Sequence, residues 1–493
     1  MPTFPNRPPR PLAANRAGCR SATLLAVLCL LAGCATRPAG EDATLHRWTQ
    51  LGPDGRISLR SIVDGAGDCP TAIVDGARVP LQVRAGATAS GAPRPSPDNP
   101  AFRPEFAVTA CEATLPAARQ ARIGHDALPL PAADPRRIVI VGDTGCRIKV
   151  PASGPADPIQ DCASARDWPW PRLAAAAAAT RPDLVIHLGD YHYREYCDDP
   201  ARCAAVRAQG VAIGYGWAGW QADFLAPAQP LLAAAPWIVV RGNHENCDRG
   251  GEGWMRFLSP LPYQQCANQA YRTASQSVLG NNLTADAYRI ELGERLTLVV
   301  ADNAAFADYL PLARAADDLA ILQRTLRALT TAPTGRPLWL LIHKPLWYDL
   351  LPAAAPPNAL QSLARSGLPA SLQFVFSGHE HAFATLNFAG SGGRPAQVIV
   401  GASGTQLEAF DPESPLYEGA TPGSREQSQP DGRLHDGIAA SSGIVLNRYS
   451  FLLLERATDG WDGTLIDADG RAISRCRLDG TGRQVDCSFP TRP

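Results

Sequence analysis

Five short apolar runs in this chain of 493 residues each end in a polar cluster of Gly, Asp, Asn and His. Residues 138–141 lead into Gly142-Asp143-Thr144-Gly145, and residues 184–188 into Gly189-Asp190-Tyr191-His192-Tyr193. Residues 237–240 lead to Gly242-Asn243-His244-Glu245, and residues 338–342 to His343-Lys344-Pro345. The fifth run, 373–376, leads to Gly378-His379-Glu380-His381. Continuous apolar runs of this length fit strands buried on both faces, and helical stretches alternate with them, as in βαβ units. In such sheets the loops beyond the carboxyl ends of the strands share one crevice, so the five clusters are expected to meet. Five of the nine histidines lie in these clusters. A glycine directly before Asp143, Asp190, Asn243 and His379 lets the backbone turn sharply there.

Around this core the chain reads as α/β. Pro171 opens an alanine-rich run through Ala179, a predicted helix with proline near its first turn. Leu319, Leu322, Leu326 and Leu329 share one face of a second predicted helix and read as core. Residues 51–134 instead carry short alternating segments punctuated by Asp64-Gly65 and Asp75-Gly76, the pattern of β hairpins. They are expected to form a small N-terminal β-rich module, followed by the main domain at 135–493. The stretch 410–437 reads as a long surface loop bordering the site.

Residues 1–33 hold Arg7, Arg10, Arg16 and Arg20, no acidic residue, and an apolar run from Ala22 to Ala32. That run is too short to span a bilayer and reads as an export signal. Its end, Leu31-Ala32-Gly33-Cys34, resembles a bacterial lipobox, which implies cleavage before Cys34, lipidation of Cys34 and membrane attachment through residues 34–50 as a tether. The expected location is the bacterial cell envelope, facing the periplasm or exterior. Cleavage takes four arginines from the 46 basic residues, leaving 42 against 47 acidic, a net −5. Neither that sum nor the net −1 of the whole chain suits a globally basic nucleic-acid binder. Cleavage also leaves ten cysteines beyond Cys34. An even count in an exported protein favours disulfides, and successive pairing is the expected connectivity, although sequence does not determine it.

Carboxylate, amide, imidazole and phenol oxygens or nitrogens are donors for hard to borderline metals. The five clusters resemble the blocks of the calcineurin-like metallophosphoesterase superfamily, and most closely its purple acid phosphatase branch, with blocks GDxG, GDxxY, GNHE, VxxH and GHxH. Four match letter for letter, and Leu340 replaces valine in the fourth. The wider superfamily places a histidine where this chain has Gly145, whereas Tyr193 marks the purple branch. The resemblance implies a metallophosphoesterase-type αββα sandwich. It implies one metal on Asp143, Asp190, Tyr193 and His381 and a second on Asp190, Asn243, His343 and His379, with Asp190 bridging. The expected ions are Fe(III) with a divalent partner, Zn, Mn or Fe(II).

The implied reaction is hydrolysis of phosphate monoesters by a metal-activated hydroxide, with Asp190, Asn243 and His244 as catalytic residues. His244, His192 and Lys344 are substrate-binding candidates. Glu245 and Glu380 read as supports of the ligands, and His187 as a packed histidine or another such support. The alternatives are a phosphodiesterase or nucleotide hydrolase on the same metals, and a non-catalytic envelope-binding lipoprotein.

Overall fold

In a computed structural model of the protein the described residues are 44–88, 104–154, 158–266, 284–306, 316–332, 335–347, 368–388, 394–408, 434–435, 438–439, 441–480 and 484–488. The export signal, Cys34 and most of the 410–437 loop lie outside them. Among the described residues two large sheets dominate, one of eleven strands and one of seven. At the centre of the larger, Arg137–Val141, Leu184–His187 and Trp237–Val239 run parallel and side by side. In the smaller, Leu296–Val300, Leu338–Leu341, Leu372–Ser377 and Ala396–Val400 form a parallel set. All five strand ends singled out in the sequence therefore belong to adjacent strands of two facing sheets.

Side-chain alternation along these strands sorts the core into layers. Ile138, Ile140 and Ile186 point from the larger sheet into one buried cluster with Trp339, Leu341, Phe374 and Phe376 of the smaller sheet. Val139, Val141 and Val185 point the other way, onto Leu173, Ala174 and Ala177 of helix Trp170–Ala179. Val299, Leu338 and Leu340 likewise pack outward against Leu322 and Leu329 of helix Ala316–Thr330. The result is a helix–sheet–sheet–helix sandwich, as expected. Each fully buried aliphatic side chain contributes roughly 1.5–3 kcal/mol to that layering.

The N-terminal β segments differ from the expectation in one respect. Strand Thr44–Leu51 begins inside the stretch read as tether and pairs in parallel with Trp237–Val239. Ile57–Asp64, Val108–Leu115 and Gln82–Ala85 continue outward from it, so these strands extend the large sheet. Short-range alternation shows a strand but not its partner, and this partner lies far along the chain. Four further short strands, Thr71–Val74, Ala77–Pro80, Ala121–Ile123 and Asp126–Leu128, form a sheet of their own. At the opposite edge, Phe451–Arg456, Trp461–Ile466, Ala472–Leu478 and Val485–Ser488 add an antiparallel run. The ten cysteines pair successively: Cys69–Cys111, Cys146–Cys162, Cys197–Cys203, Cys247–Cys266 and Cys476–Cys487.

Candidate metal centre

The five loops meet beyond the carboxyl ends of the two parallel sets. Asp143, Asp190 and His379 all adopt positive φ, at 56°, 60° and 73°. For residues other than glycine this left-handed backbone costs roughly 1–3 kcal/mol each and persists where the surroundings impose it. The turns are tightly built: a Cβ on Gly242 would lie 2.1 Å from both the backbone nitrogen and Oδ1 of Asp190. Glu245 holds the same turn from below, its carboxylate accepting from the backbone N–H groups of Asp190, Tyr191, His192 and Gly242 at 2.9–3.2 Å.

Two groups of donor atoms share one oxygen. The Tyr193 hydroxyl lies 2.8 Å from Oδ2 of Asp190, 3.1 Å from Oδ1 of Asp143 and 2.9 Å from Nε2 of His381. On the other side Oδ1 of Asn243 lies 3.0 Å from Nε2 of His343 and 2.8 Å from Nδ1 of His379. Nε2 of His343 is 3.2 Å from the same Oδ2 of Asp190. Asp190 is thus the joint between the groups, and all seven residues expected at the site are brought together.

The donor chemistry fits cations. With Nδ1 of His343 donating to the Leu188 carbonyl at 2.8 Å, Nε2 is the ring nitrogen that faces the site. It faces the oxygens of Asn243 and Asp190, three donor atoms set around a position that a cation can fill. Burial, followed by the charge of Asp190, pushes the Asp143 carboxyl well up. Burial, then Asp190 and Asp143, pushes the Tyr193 phenol up. Burial opposes ionisation of Asp190 too, but neighbouring His343 and the hydrogen bond from the His244 backbone N–H hold its carboxyl down. His381 is kept neutral by burial and then by Arg147. A bound cation reverses the strain at Asp143 and Tyr193 together.

Gly145 explains the departure from the wider superfamily in steric terms. A Cβ there would sit 2.7 Å from the Tyr193 backbone nitrogen and 2.8 Å from its ring. A side chain at 145 would also meet Oδ2 of Asp223 at 2.8 Å, so the position has no room beyond glycine in this arrangement.

Two substrate-binding candidates are placed elsewhere. His192 is fully buried, its Nε2 3.0 Å from the Gly214 carbonyl and its ring packed on Trp220 and Tyr215. The Lys344 ammonium donates to the Phe306 carbonyl at 2.6 Å and is buried. Both side chains turn into the interior and serve packing there. His187 is packed, stacked on Tyr191 with ring centroids 3.8 Å apart, and also supports the ligand loops, its Nε2 3.0 Å from the Thr144 hydroxyl and its Nδ1 accepting from the Gly189 N–H at 3.2 Å. His244 stays at the centre, its Nε2 3.9 Å from Oδ2 of Asp190 and its backbone N–H donating to Oδ1 at 2.8 Å. Burial, then Arg249, lowers its imidazole to about 3.

Four supporting groups escaped sequence reasoning. Buried Asp223 accepts from the N–H groups of Cys146, Tyr193 and Arg194 at 2.7, 2.6 and 3.1 Å, tying the first two loops together. Asn303 accepts from the N–H groups of His343 and Lys344 and donates to the Lys344 carbonyl. Glu408 lies 3.7 Å from Nδ1 of His381. Glu195 lies 2.7 Å from Nδ1 of His244 and pairs with Arg249. Asp302-Asn303 does end an apolar run, Leu296–Val300, a signal of the same kind as the other five.

Residues 136–383 match the calcineurin-like phosphoesterase family. The chain belongs to that family. A calcineurin-like phosphoesterase is a metal-dependent phosphoric ester hydrolase, and the fold implies a dinuclear centre. The sandwich is similar to purple acid phosphatase PPD1 from yellow lupin (Lupinus luteus) seeds, with TM-score 0.51 and 14% identity over 87% of this chain and 73% of that one. PhoD gives a TM-score of 0.47 at 11% identity, over 90% of this chain and 92% of the other. A dimetal phosphatase from Danio rerio gives 0.34 at 12%, over 67% of this chain and 96% of that one. No curated protein matches the chain in sequence.

Proposed function

We propose that this calcineurin-like phosphoesterase hydrolyses phosphate monoesters at two metal ions. Asp143, Asp190, Tyr193 and His381 hold one ion, and Asp190, Asn243, His343 and His379 hold the other. The observation that carries this reading is the single oxygen, Oδ2 of Asp190, within 3.2 Å of both the Tyr193 hydroxyl and Nε2 of His343. A phenolate ligand favours a hard trivalent ion, so Fe(III) belongs on the Tyr193 side and Zn, Mn or Fe(II) on the other. Such a pair supplies Lewis acidity toward phosphoryl oxygen and lowers the pKa of water.

The chain's own residues orient the reaction. Glu245 and Asp223 fix the turns that carry Asp190 and Tyr193. Glu195 on Nδ1 and Arg249 on Nε2 hold the His244 ring beside the shared carboxylate, with Nε2 3.9 Å from Oδ2 of Asp190, next to the position a phosphoryl group takes. Asn243, His379 and His381 are the half-buried members of the set and mark the face by which substrate enters.

The test compares an aryl phosphate with a bis-aryl phosphate. A preference for the monoester of at least about tenfold in kcat/KM supports the reading. Preference for the diester assigns the site to phosphodiester or nucleotide hydrolysis instead, and turnover of neither leaves a binding role.

The five disulfides fit an oxidising compartment. No helix among the described residues is long and apolar enough to cross a membrane. Both agree with an exported enzyme lipidated at Cys34 in the cell envelope. Detergent-phase partitioning of the bacterially expressed protein, lost in Cys34→Ser, is the expected result; partitioning unchanged by the substitution contradicts it.

A further inference from the structure

The first strand of the sandwich fixes the end at which the chain enters it. Thr44–Leu51 runs parallel to Trp237–Val239, with Gln50 level with Trp237. Trp237–Val239 runs parallel to Leu184–His187, and that strand to Arg137–Val141. Asn243, Asp190 and Asp143 all lie beyond the carboxyl ends of these three strands. Thr44, the first residue of a strand pointing the same way, therefore lies toward the amino end, opposite the metal centre. Six residue steps separate Thr44 from Gln50, and three more lead from Trp237 to Val240, whose N–H still donates to the His187 carbonyl. At about 3.3 Å per step the entry point stands roughly 30 Å from the turn that carries Asn243. Leu45 is 39% exposed, so the chain enters at the surface.

Cys34 precedes Thr44 by only ten residues. Ten residues reach about 33–36 Å when fully extended, and any more compact course is shorter, a helix about 15 Å. To bring the metal centre to a bilayer holding Cys34, the connection would have to run at full stretch along the flank of the sandwich. From this juxtaposition of a parallel entry strand and a short connection we infer that a lipid at Cys34 holds the amino end of the strands to the membrane and leaves the metal centre facing away from it. The substrates are then water-soluble phosphate esters, and the phosphate headgroups of the anchoring bilayer are out of reach. The inference rests on the lipid-anchor and phosphoesterase readings.

The test places the lipidated, metal-loaded protein on phosphatidylcholine vesicles that contain phosphatidic acid and an energy-acceptor lipid. A fluorescent amino acid stands either at position 126, where Asp126 pairs with Arg47 of the entry strand, or at position 408, where Glu408 lies 3.7 Å from Nδ1 of His381. Strong energy transfer to the bilayer is expected from position 126 and weak transfer from position 408. Inserting about 20 Gly/Ser residues after Ala43 should raise transfer from position 408, because the longer connection lets the metal centre reach the bilayer. Anchoring should change turnover of phenyl phosphate and of phosphatidic acid by less than about twofold relative to Cys34→Ser. Transfer from position 408 as strong as from position 126 overturns the inference, and so does a gain of about tenfold on phosphatidic acid from anchoring. Protein that does not bind the vesicles at all removes the anchor, and the inference with it. The expected order of transfer without hydrolysis of any ester keeps the orientation and removes the hydrolase reading.

Discussion

Removing the carboxylate of Asp223 is expected to weaken both the fold and the metal centre. This side chain is fully buried and accepts four hydrogen bonds: the N–H groups of Cys146, Tyr193 and Arg194, and Nε of Arg194 at 3.0 Å. Asp223→Ala leaves the Arg194 guanidinium without this partner in the interior, a change that costs about 3–5 kcal/mol in buried ion pairs. Each orphaned N–H adds about 1–3 kcal/mol taken alone, but the groups share one acceptor and water can enter the vacated volume, so the costs do not sum. A loss of about 5 kcal/mol is the resulting expectation, a large part of a typical domain's stability. Asp223→Asn keeps one acceptor oxygen but turns an NH2 toward N–H donors, and should lose about half as much. Urea unfolding of the disulfide-intact protein measures the change, from the midpoint shift at constant slope. Metal content per chain reports the second effect, because Asp223 positions the backbone of both Tyr193 and the Asp143 loop. A loss below about 1 kcal/mol in the alanine variant, with full metal content, would refute the clamp.

Two further outcomes follow from the same packing. Gly145→Ala drives a Cβ to 2.7 Å from the Tyr193 backbone nitrogen, so it should destabilise by about 1–3 kcal/mol or more and displace the phenol; unchanged stability and metal content would contradict this. His46 is buried against Gln229, its Nδ1 2.9 Å from Oε1, and burial lowers its pKa in the folded chain below the ordinary 6.5. The unfolded chain therefore binds a proton first as pH falls below about 6.5, and stability drops by at most about 1.4 kcal/mol per pH unit from this group. The difference in unfolding free energy between wild type and His46→Gln should shrink from pH 7.5 to 5.5, and a pH-independent difference would show that the burial has no such effect.

The seven candidate ligands were legible because strands buried on both faces end abruptly, and because parallel sheets bring such ends together whatever the order of the strands. The disulfides were legible because each cysteine's partner is its neighbour in the cysteine series. Asp223 was not: between Trp220 and Phe224 it reads as the polar position of an amphipathic turn, and only the fold shows its carboxylate facing three N–H groups. Glu195 and Arg249 likewise converge on His244 from separate loops. His192 and Lys344 failed because sequence does not tell which way a ligand's neighbour faces: His244 turns to the centre, whereas these two turn into the interior. The pairing of Gln50 with Trp237 could not be read either, because strand alternation carries no information about a distant parallel partner.

Asp190 is proposed to join two metal sites. Elemental analysis of the purified protein tests it most directly, with wild type compared to Asp190→Asn and Tyr193→Phe. Two metal ions per chain in wild type are expected, with both lost or sharply reduced in Asp190→Asn. Tyr193→Phe should lose iron together with the visible phenolate-to-Fe(III) absorption. A single ion in wild type, or two ions retained in Asp190→Asn, would contradict the shared-carboxylate site.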